Sequence, residues 1–152
     1  IKALVDKEIF EFYQLQKDRV SYFGETNELK ELNEFQNQAL REISTSFEEK
    51  DVALLHGVTS SGKTEVYTKL IQEVLKTNKQ VLFLLPEIAL TTQIIVRLQN
   101  YFGNQISVFH SKYSMNERVE VWNNVLDSNP KAQIILGARS SLFLPFSNLG
   151  AV

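Results

Sequence analysis

The stretch LLHGVTSSGKTEVY, residues 54–67, constrains the fold of this chain more than any other part of the sequence. It contains the Walker A pattern GVTSSGKT, after a short apolar run and before residues with helical spacing. In such a loop the backbone N–H groups point inward, the Lys63 ammonium adds positive charge, and the Thr64 hydroxyl can ligate Mg²⁺. We therefore predict a loop that holds nucleotide phosphates, with an ordinary strand-to-helix turn as the alternative. The predicted phosphate-binding residues are Gly57, Val58, Thr59, Ser60, Ser61, Gly62, Lys63 and Thr64, of which Lys63 and Thr64 are also the predicted catalytic residues and Thr64 the predicted metal ligand.

Short apolar runs alternate with segments of helical spacing along residues 51–152. The runs at 52–55, 81–85, 106–109 and 134–136 are too short for helices and rich in β-branched or aromatic residues, which predicts buried strands. This alternation is typical of an α/β fold with a parallel sheet and right-handed crossovers. The apolar residues that predict the intervening helices are Val66, Leu70 and Val74; Ile88, Ile95, Leu98 and Phe102; and Met115, Val119, Trp122 and Leu126. In the last of these helices, Val119 and Trp122 are expected to lie in the core, with Glu117 and Arg118 on a solvated face.

The segment before the phosphate loop divides into two parts of different character. Residues 1–25 begin with a short helical pattern, continue with the strand-like IFEFYQLQ and reach a glycine, so we predict a boundary near residue 25. The polar GETNELKEL is predicted to link this part to a helix over residues 34–47, in which Phe35, Ala39 and Ile43 recur at four-residue spacing.

Composition limits the class of protein further. The 152 residues, 43% of them hydrophobic, suffice for one packed domain with at most a small appendage. The sequence has no cysteine, which excludes disulfides and thiolate zinc sites and favours a cytoplasmic location. No apolar run approaches the roughly 20 residues that span a bilayer, so no membrane contact is expected. The net charge of -2 neither supports nor excludes DNA as a ligand.

Three further segments, PEIALTTQ from Pro86, FHSKYSMNERVEVW from Phe109 and GARSSLFLPFSNLG from Gly137, each follow a predicted strand. Ligands bind at the carboxyl ends of strands in parallel sheets, so these segments are predicted to share the edge that carries the phosphate loop. From the residues alone, the alternative for PEIALTTQ is an ordinary proline in the first turn of a helix. The alternative for GARSS is a simple surface turn without a ligand. His110 is expected to make a structural hydrogen bond. The side chains suited to phosphate are Thr91, Thr92, Arg139, Ser140 and Ser141.

Together with the phosphate loop, these segments resemble the primosomal protein N′ family of replication-restart DNA helicases, in helicase superfamily 2. The resemblance covers almost the whole chain, and members of that family look like LLHGVTGSGKTEVY, PEIALTPQ, FHSGLSxxERxxxW and GTRSALFxPFxNLG. This chain departs from those patterns at Ser60, Thr92, Lys112, Ala138 and Ser141. None of these departures removes a charged or phosphate-binding group, although Ala138 lacks the hydroxyl of the family's threonine.

The resemblance implies an α/β fold with a RecA-like P-loop lobe and a parallel sheet in residues 26–152. It implies that residues 1–25 are a linker and the tail of a winged-helix module. It also implies an ATP-dependent DNA helicase that uses ATP with Mg²⁺. In LNEFQNQA, Gln36 stands where the family's glutamine reads the adenine edge, with a solvated helix glutamine as the alternative. The residues that the resemblance assigns to DNA contacts are Pro86, Thr91, Thr92, Arg139 and Ser140.

The partners implied by the resemblance are forked or single-stranded DNA, other primosome proteins and a single-strand-binding protein. The family's acidic Mg²⁺ motif, second lobe and cysteine-rich zinc region are not in this sequence. We therefore expect zinc only elsewhere in the protein, and we expect this chain alone to be inactive in ATP hydrolysis. Two alternatives remain at this point: a P-loop small-molecule kinase or other ATPase that does not act on DNA, and a scaffold whose loop holds no nucleotide.

Overall fold

The computed structural model describes residues 24, 26–58, 60–86, 92–111 and 113–152. The helix and strand predicted within residues 1–23, the boundary near residue 25, and the predicted site residues Thr59 and Thr91 fall outside this part of the chain. The α-helices are α1 (Glu34–Ser46), α2 (Lys63–Lys76), α3 (Thr92–Phe102) and α4 (Met115–Leu126). The β-strands are β1 (Gln80–Leu84), β2 (Ile106–Phe109), β3 (Ile134–Gly137) and β4 (Leu149–Ala151). Short 3₁₀-helices cover Gly103–Gln105, Pro130–Ala132 and Arg139–Phe143.

The strands form one parallel sheet in the order β2-β3-β1-β4. This confirms the predicted α/β fold class, and three of the four predicted strands lie within one residue of their predicted bounds. In the central pair, Val81 lies beside Ile134 and Leu84 beside Gly137, so β1 and β3 end at the same edge. The fourth strand, β4, begins within the NLG segment, at Leu149.

The two faces of the sheet are covered by different helices. Val81 on β1 packs with side chains from α2 and α3, whereas its neighbour Leu82 packs with side chains from α4. Ile134 and Ile135 on β3 divide in the same way, because successive side chains of a strand point to opposite faces. Helices α2 and α3 therefore lie on one face of the sheet and α4 on the other, which gives a three-layer fold.

Helices α1 and α4 begin at capping boxes. Asn33 accepts from the backbone N–H of Gln36 at 2.9 Å, and the side-chain oxygen of Gln36 accepts from the N–H of Asn33 at 3.0 Å. Ser114 and Glu117 exchange the same two bonds at the start of α4. Each box satisfies two N–H groups that have no partner within the helix, so both helix starts are fixed by local sequence. Among the described residues, no helix is long and apolar enough to cross a membrane.

The strand predicted at residues 52–55 is wrong. These residues have no regular secondary structure, and Leu54 is 90% exposed. Both edges of β1 are taken by β3 and β4, so an additional strand could pair only at an outer edge of the sheet. Of the two outer strands, β4 has only three residues and a glycine at its centre. An apolar run becomes a strand only where an edge can accept its hydrogen bonds, and β4 offers very few.

The face of α4 that packs on the sheet also differs from the prediction. Val119 and Trp122 are predicted to lie in the core, yet they are 52% and 42% exposed, whereas Val121 and Val125 are buried. The sequence of α4 carries two apolar stripes, and a hydrophobic pattern alone does not say which one faces the sheet. Arg118, predicted on a solvated face, is exposed but stacks its guanidinium over the Phe109 ring, 5.6 Å from the centroid.

Candidate nucleotide site

The phosphate loop joins residues 52–58 to α2 through two left-handed backbone positions. Ser60 has φ +66° and Gly62 has φ +81°, a conformation that glycine adopts freely and other residues seldom adopt. A Cβ on Gly62 would lie only 2.0 Å from the side-chain nitrogen of Gln36. Position 62 therefore favours glycine for its backbone angle, and a larger residue there would displace the Gln36 amide from the loop.

Lys63 is the first residue of α2, and its side chain folds back into the loop. Its ammonium donates to the carbonyl oxygens of Gly57 at 2.6 Å and Val58 at 2.8 Å. These bonds satisfy a half-buried ammonium when no anion is near it. A phosphate that enters the loop must compete with the two carbonyls for the Lys63 ammonium, and its full negative charge favours that exchange.

Gln36 lies against the loop, 26 residues away from it in sequence. Its side-chain nitrogen donates to the carbonyl of Gly62 at 3.4 Å, and its side-chain oxygen belongs to the α1 capping box. It is half-buried, so a purely solvated glutamine does not describe its surroundings. An amide that donates and accepts at the rim of a phosphate loop has the chemistry needed to read a base edge.

These residues line one cleft of about 740 Å³. Its walls are the start of α1 with the segment before it, the phosphate loop with the first turn of α2, and α3. The structure thus brings together six of the predicted nucleotide-binding residues, and adds five that the sequence analysis missed. The lining residues are Lys30, Glu31, Asn33, Gln36, Ser60, Ser61, Gly62, Lys63, Thr64, Glu65 and Arg97.

The missed residues were not within reach of sequence reasoning. Arg97 pairs with Glu65 across 32 positions of the sequence, and that contact depends on how α3 lies beside α2. The only signal was that Glu65 follows the Walker A threonine directly, which places it in the first turn of a helix at the cleft. A carboxylate in that turn interacts favourably with the helix dipole, so the residue type alone gave no reason to expect a ligand contact.

Thr64 is the cleft residue best suited to a metal ion. It lies in the first turn of α2 and lines the cleft beside Lys63. The described residues contain no group of three or more His, Cys, Asp or Glu side chains that could hold a metal. Thr64 would be one ligand of a Mg²⁺ in this cleft, an ion that commonly also binds nucleotide phosphates, water and one or two carboxylates.

A second group of predicted site residues lies at the carboxyl edge of the sheet. The N–H of Leu85 donates to the carbonyl of Gly137 at 2.9 Å, which keeps the chain before Pro86 beside the end of β3. Pro86, Arg139 and Ser140 are exposed there. Thr92, also exposed, is the first residue of α3.

Two neighbouring residues at this edge are not accessible to a ligand. Ser141, predicted to bind phosphate, is fully buried, and its hydroxyl has no hydrogen-bond partner. Its oxygen lies 1.7 Å from where a Cβ on Gly137 would stand, so Ser141 fills the space beneath that glycine. His110 is buried at the end of β2. The prediction for Ser141 is therefore wrong, and its role is to pack.

The acid–base properties of this edge are altered at one tyrosine near the start of α4. Burial raises the pKa of the Tyr113 hydroxyl above its ordinary value, and the nearby negative charge of Glu117 raises it further. Tyr113 therefore stays neutral through the physiological pH range and contributes packing to the core rather than charge to the edge.

Comparison with known proteins gives one family match and a set of related sequences. The family model described as "Type III restriction enzyme, res subunit" matches residues 29–149. Replication restart protein PriA of Bacillus subtilis (strain 168) is 43% identical over 115 residues, which is 76% of this chain and 14% of that protein. The PriA protein of Haemophilus influenzae is 47% identical over 102 residues, 67% of this chain and 14% of that protein.

A third relative extends over more of the chain. The PriA protein of Chlamydia trachomatis serovar D is 38% identical over 141 residues, which is 91% of this chain and 18% of that protein. The match to each of these three relatives spans less than a fifth of its length.

Proposed function

This chain belongs to the type III restriction enzyme, res subunit family, and we propose that it is the ATP-binding lobe of a replication-restart DNA helicase. Residues 26–152 make up the lobe, and residues 1–25 belong to a preceding winged-helix module and linker. In the whole protein the lobe binds ATP, and hydrolysis between this lobe and a second one moves DNA.

The meeting of Gln36 with the phosphate loop carries this proposal. Residues 26 positions apart converge on one cleft, where an amide lies beside Gly62 and an ammonium lies within the loop. That combination suits a ligand with a hydrogen-bonding base at one end and phosphates at the other. ATP with Mg²⁺ is such a ligand, with Thr64 as the protein's own contribution to the metal.

The exposed residues at the carboxyl edge favour a helicase over a kinase of the same loop class. Pro86, Thr92, Arg139 and Ser140 are accessible near the ends of β1 and β3 and at the start of α3. An arginine and hydroxyls at such an edge can bind the sugar-phosphate backbone without reading its sequence. We therefore propose that this edge, together with Thr91, contacts single-stranded or forked DNA.

The remaining parts of the proposal rest on the resemblance to the replication-restart helicase family. The whole protein acts in the cytoplasm with other primosome proteins and a single-strand-binding protein. A P-loop kinase remains the second candidate, since the loop itself is common to both classes. It would use the cleft but not the carboxyl edge.

The decisive experiment is ATP turnover by the whole protein, measured with and without single-stranded DNA. We expect DNA to stimulate turnover, and Lys63→Ala to abolish it, because the ammonium is the charge that the loop directs at phosphate. Lys76→Ala is the matched control: it removes an exposed ammonium at the other end of α2 that is ion-paired with Glu73. That variant should keep wild-type turnover. Turnover that is indifferent to DNA would reject the helicase in favour of the kinase.

A further inference from the structure

Arg97 of α3 lies in the nucleotide cleft and is held there by Glu65 of α2. The guanidinium donates to the Glu65 carboxylate, and the two form an ion pair between neighbouring helices. The Glu65 side chain is only 15% exposed, whereas that of Arg97 is 43% exposed. The carboxylate is thus mostly enclosed, and the guanidinium is presented to the open side of the cleft.

The pair lies next to the residue that is suited to read the base. Gln36 donates to the carbonyl of Gly62, and the second carboxylate oxygen of Glu65 lies 3.3 Å from where a Cβ on Gly62 would stand. Gln36 and Glu65 therefore both approach Gly62, and Arg97 follows beyond Glu65. All three side chains line the same cleft, so a base whose edge meets Gln36 shares that cleft with the Arg97 guanidinium.

We propose that Arg97 is a nucleotide-binding residue that stacks its guanidinium on the base, and that Glu65 is the positioning residue that holds it flat for this contact. The proposal rests on the nucleotide site proposed above and assigns the surface that contacts the face of the base. A guanidinium is planar and weakly hydrated, so it stacks on an aromatic ring in a way that an ammonium does not.

The Glu65 contact decides between the base and the phosphates as the partner of Arg97. To reach a phosphate, Arg97 would have to leave Glu65. The mostly enclosed Glu65 carboxylate would then lack its ion-pair partner beside a polyanion, which is costly. To stack on a base, Arg97 keeps the ion pair and offers only the face of its guanidinium. The geometry that satisfies both charges is therefore the one in which Arg97 contacts the base.

The Arg97→Lys variant separates the effect of stacking on the base from the effect of positive charge. Arg97→Lys keeps a positive charge that can pair with Glu65, so α3 stays attached to α2, but the planar group is lost. Glu65→Gln keeps the size of the side chain and removes the charge that orients Arg97. Arg118→Ala is the matched control, because Arg118 is an exposed arginine that stacks on Phe109 outside the cleft.

The test is calorimetric titration of the whole protein with Mg-ATP, Mg-ADP and inorganic tripolyphosphate, which carries phosphates but no base. We expect Arg97→Lys to raise the Kd for ATP and ADP by the same factor, about tenfold, and to leave that for tripolyphosphate unchanged. Glu65→Gln should weaken the binding of ATP and ADP without weakening the binding of tripolyphosphate. Arg118→Ala should bind all three like the wild type.

Each other result contradicts the assignment in a recognisable way. Wild-type affinity of Arg97→Lys for ATP would overturn it. An equal loss of affinity for ATP and tripolyphosphate would mean that Arg97 contacts the phosphates and not the base. If the wild-type protein bound none of the three ligands, the nucleotide site itself would be rejected, and this inference with it.

Discussion

Ser60 adopts a left-handed backbone, with φ +66°, where the phosphate loop turns towards α2. In sequences of the helicase family that this chain resembles, glycine occupies this position. A Cβ in the left-handed region costs roughly 1–2 kcal/mol, so the loop carries local strain at this serine. The strain persists because Gly62 and Lys63, two and three residues later, fix the path of the chain into α2.

We predict that Ser60→Gly stabilises the chain by up to about 1 kcal/mol. Glycine removes the steric cost at φ +66°, and the gain exceeds the extra entropy that glycine gives the unfolded chain. The measurement is the free energy of unfolding from urea denaturation. Ser61→Gly is the matched control, because Ser61 does not have a positive φ. That substitution should destabilise the chain instead. Equal effects at both positions would contradict this explanation.

How far sequence predicts the site depends on the kind of signal that each residue gives. Lys63 and Thr64 belong to a contiguous motif, so their proximity is fixed by eight residues of chain. Gln36 was located by resemblance, because its contact with Gly62 joins residues 26 positions apart and no local motif contains both. Arg97 had no local signal, because its place in the cleft depends on the packing of α3 against α2.

Among the elements, α4 shows why a hydrophobic pattern predicts a helix better than its orientation. The apolar residues that predicted this helix all lie within α4, yet Val121 and Val125 face the sheet in place of Val119 and Trp122. A long-range contact lies at the end of the buried stripe. The side-chain nitrogen of Gln80, buried at the start of β1, donates to the carbonyl of Val125 at 3.2 Å. That bond joins residues 45 positions apart, so no local sequence window contains it.

The strand predicted at 52–55 failed for a related reason. A short apolar run indicates that its side chains avoid water. Whether the run forms a strand depends on a free sheet edge elsewhere in the chain. By contrast, β1 and β2 each pair with β3 along four successive residues, and these three strands were predicted correctly.

We predict that the same substitution at two positions of α4 has unequal effects on stability. Val125→Ala, at a fully buried side chain, should destabilise the chain by about 2 kcal/mol because it leaves a cavity against the sheet. Val119→Ala, at a side chain that is 52% exposed, should cost less than about 0.5 kcal/mol. Urea denaturation of both variants measures the difference. A larger loss at Val119 would restore the orientation predicted from the sequence.

At the scale of the whole molecule, the fold separates two candidate binding surfaces. The cleft is built by α1, the phosphate loop, α2 and α3, and Arg97 is its contribution from α3. The other surface is the carboxyl edge of β1 and β3, where Leu85 bonds to Gly137 and Arg139 is exposed. Arg139 is not among the residues that line the cleft. Substitutions in one surface should therefore leave ligand binding at the other intact.

Arg139 gives the most direct test of this separation. Arg139→Ala should lower the affinity for single-stranded DNA by a similar factor for all sequences, because a guanidinium on a phosphate reads no base. Its loss should also reduce the slope of log K against log salt concentration by roughly 1. The Kd for ATP should not change. Lys63→Ala should behave in the opposite way, with weakened ATP binding and an unchanged salt slope for DNA. A salt slope that Arg139→Ala leaves unaltered would make the 3₁₀-helix Arg139–Phe143 a surface turn, and the DNA contact would have to be sought elsewhere on the lobe.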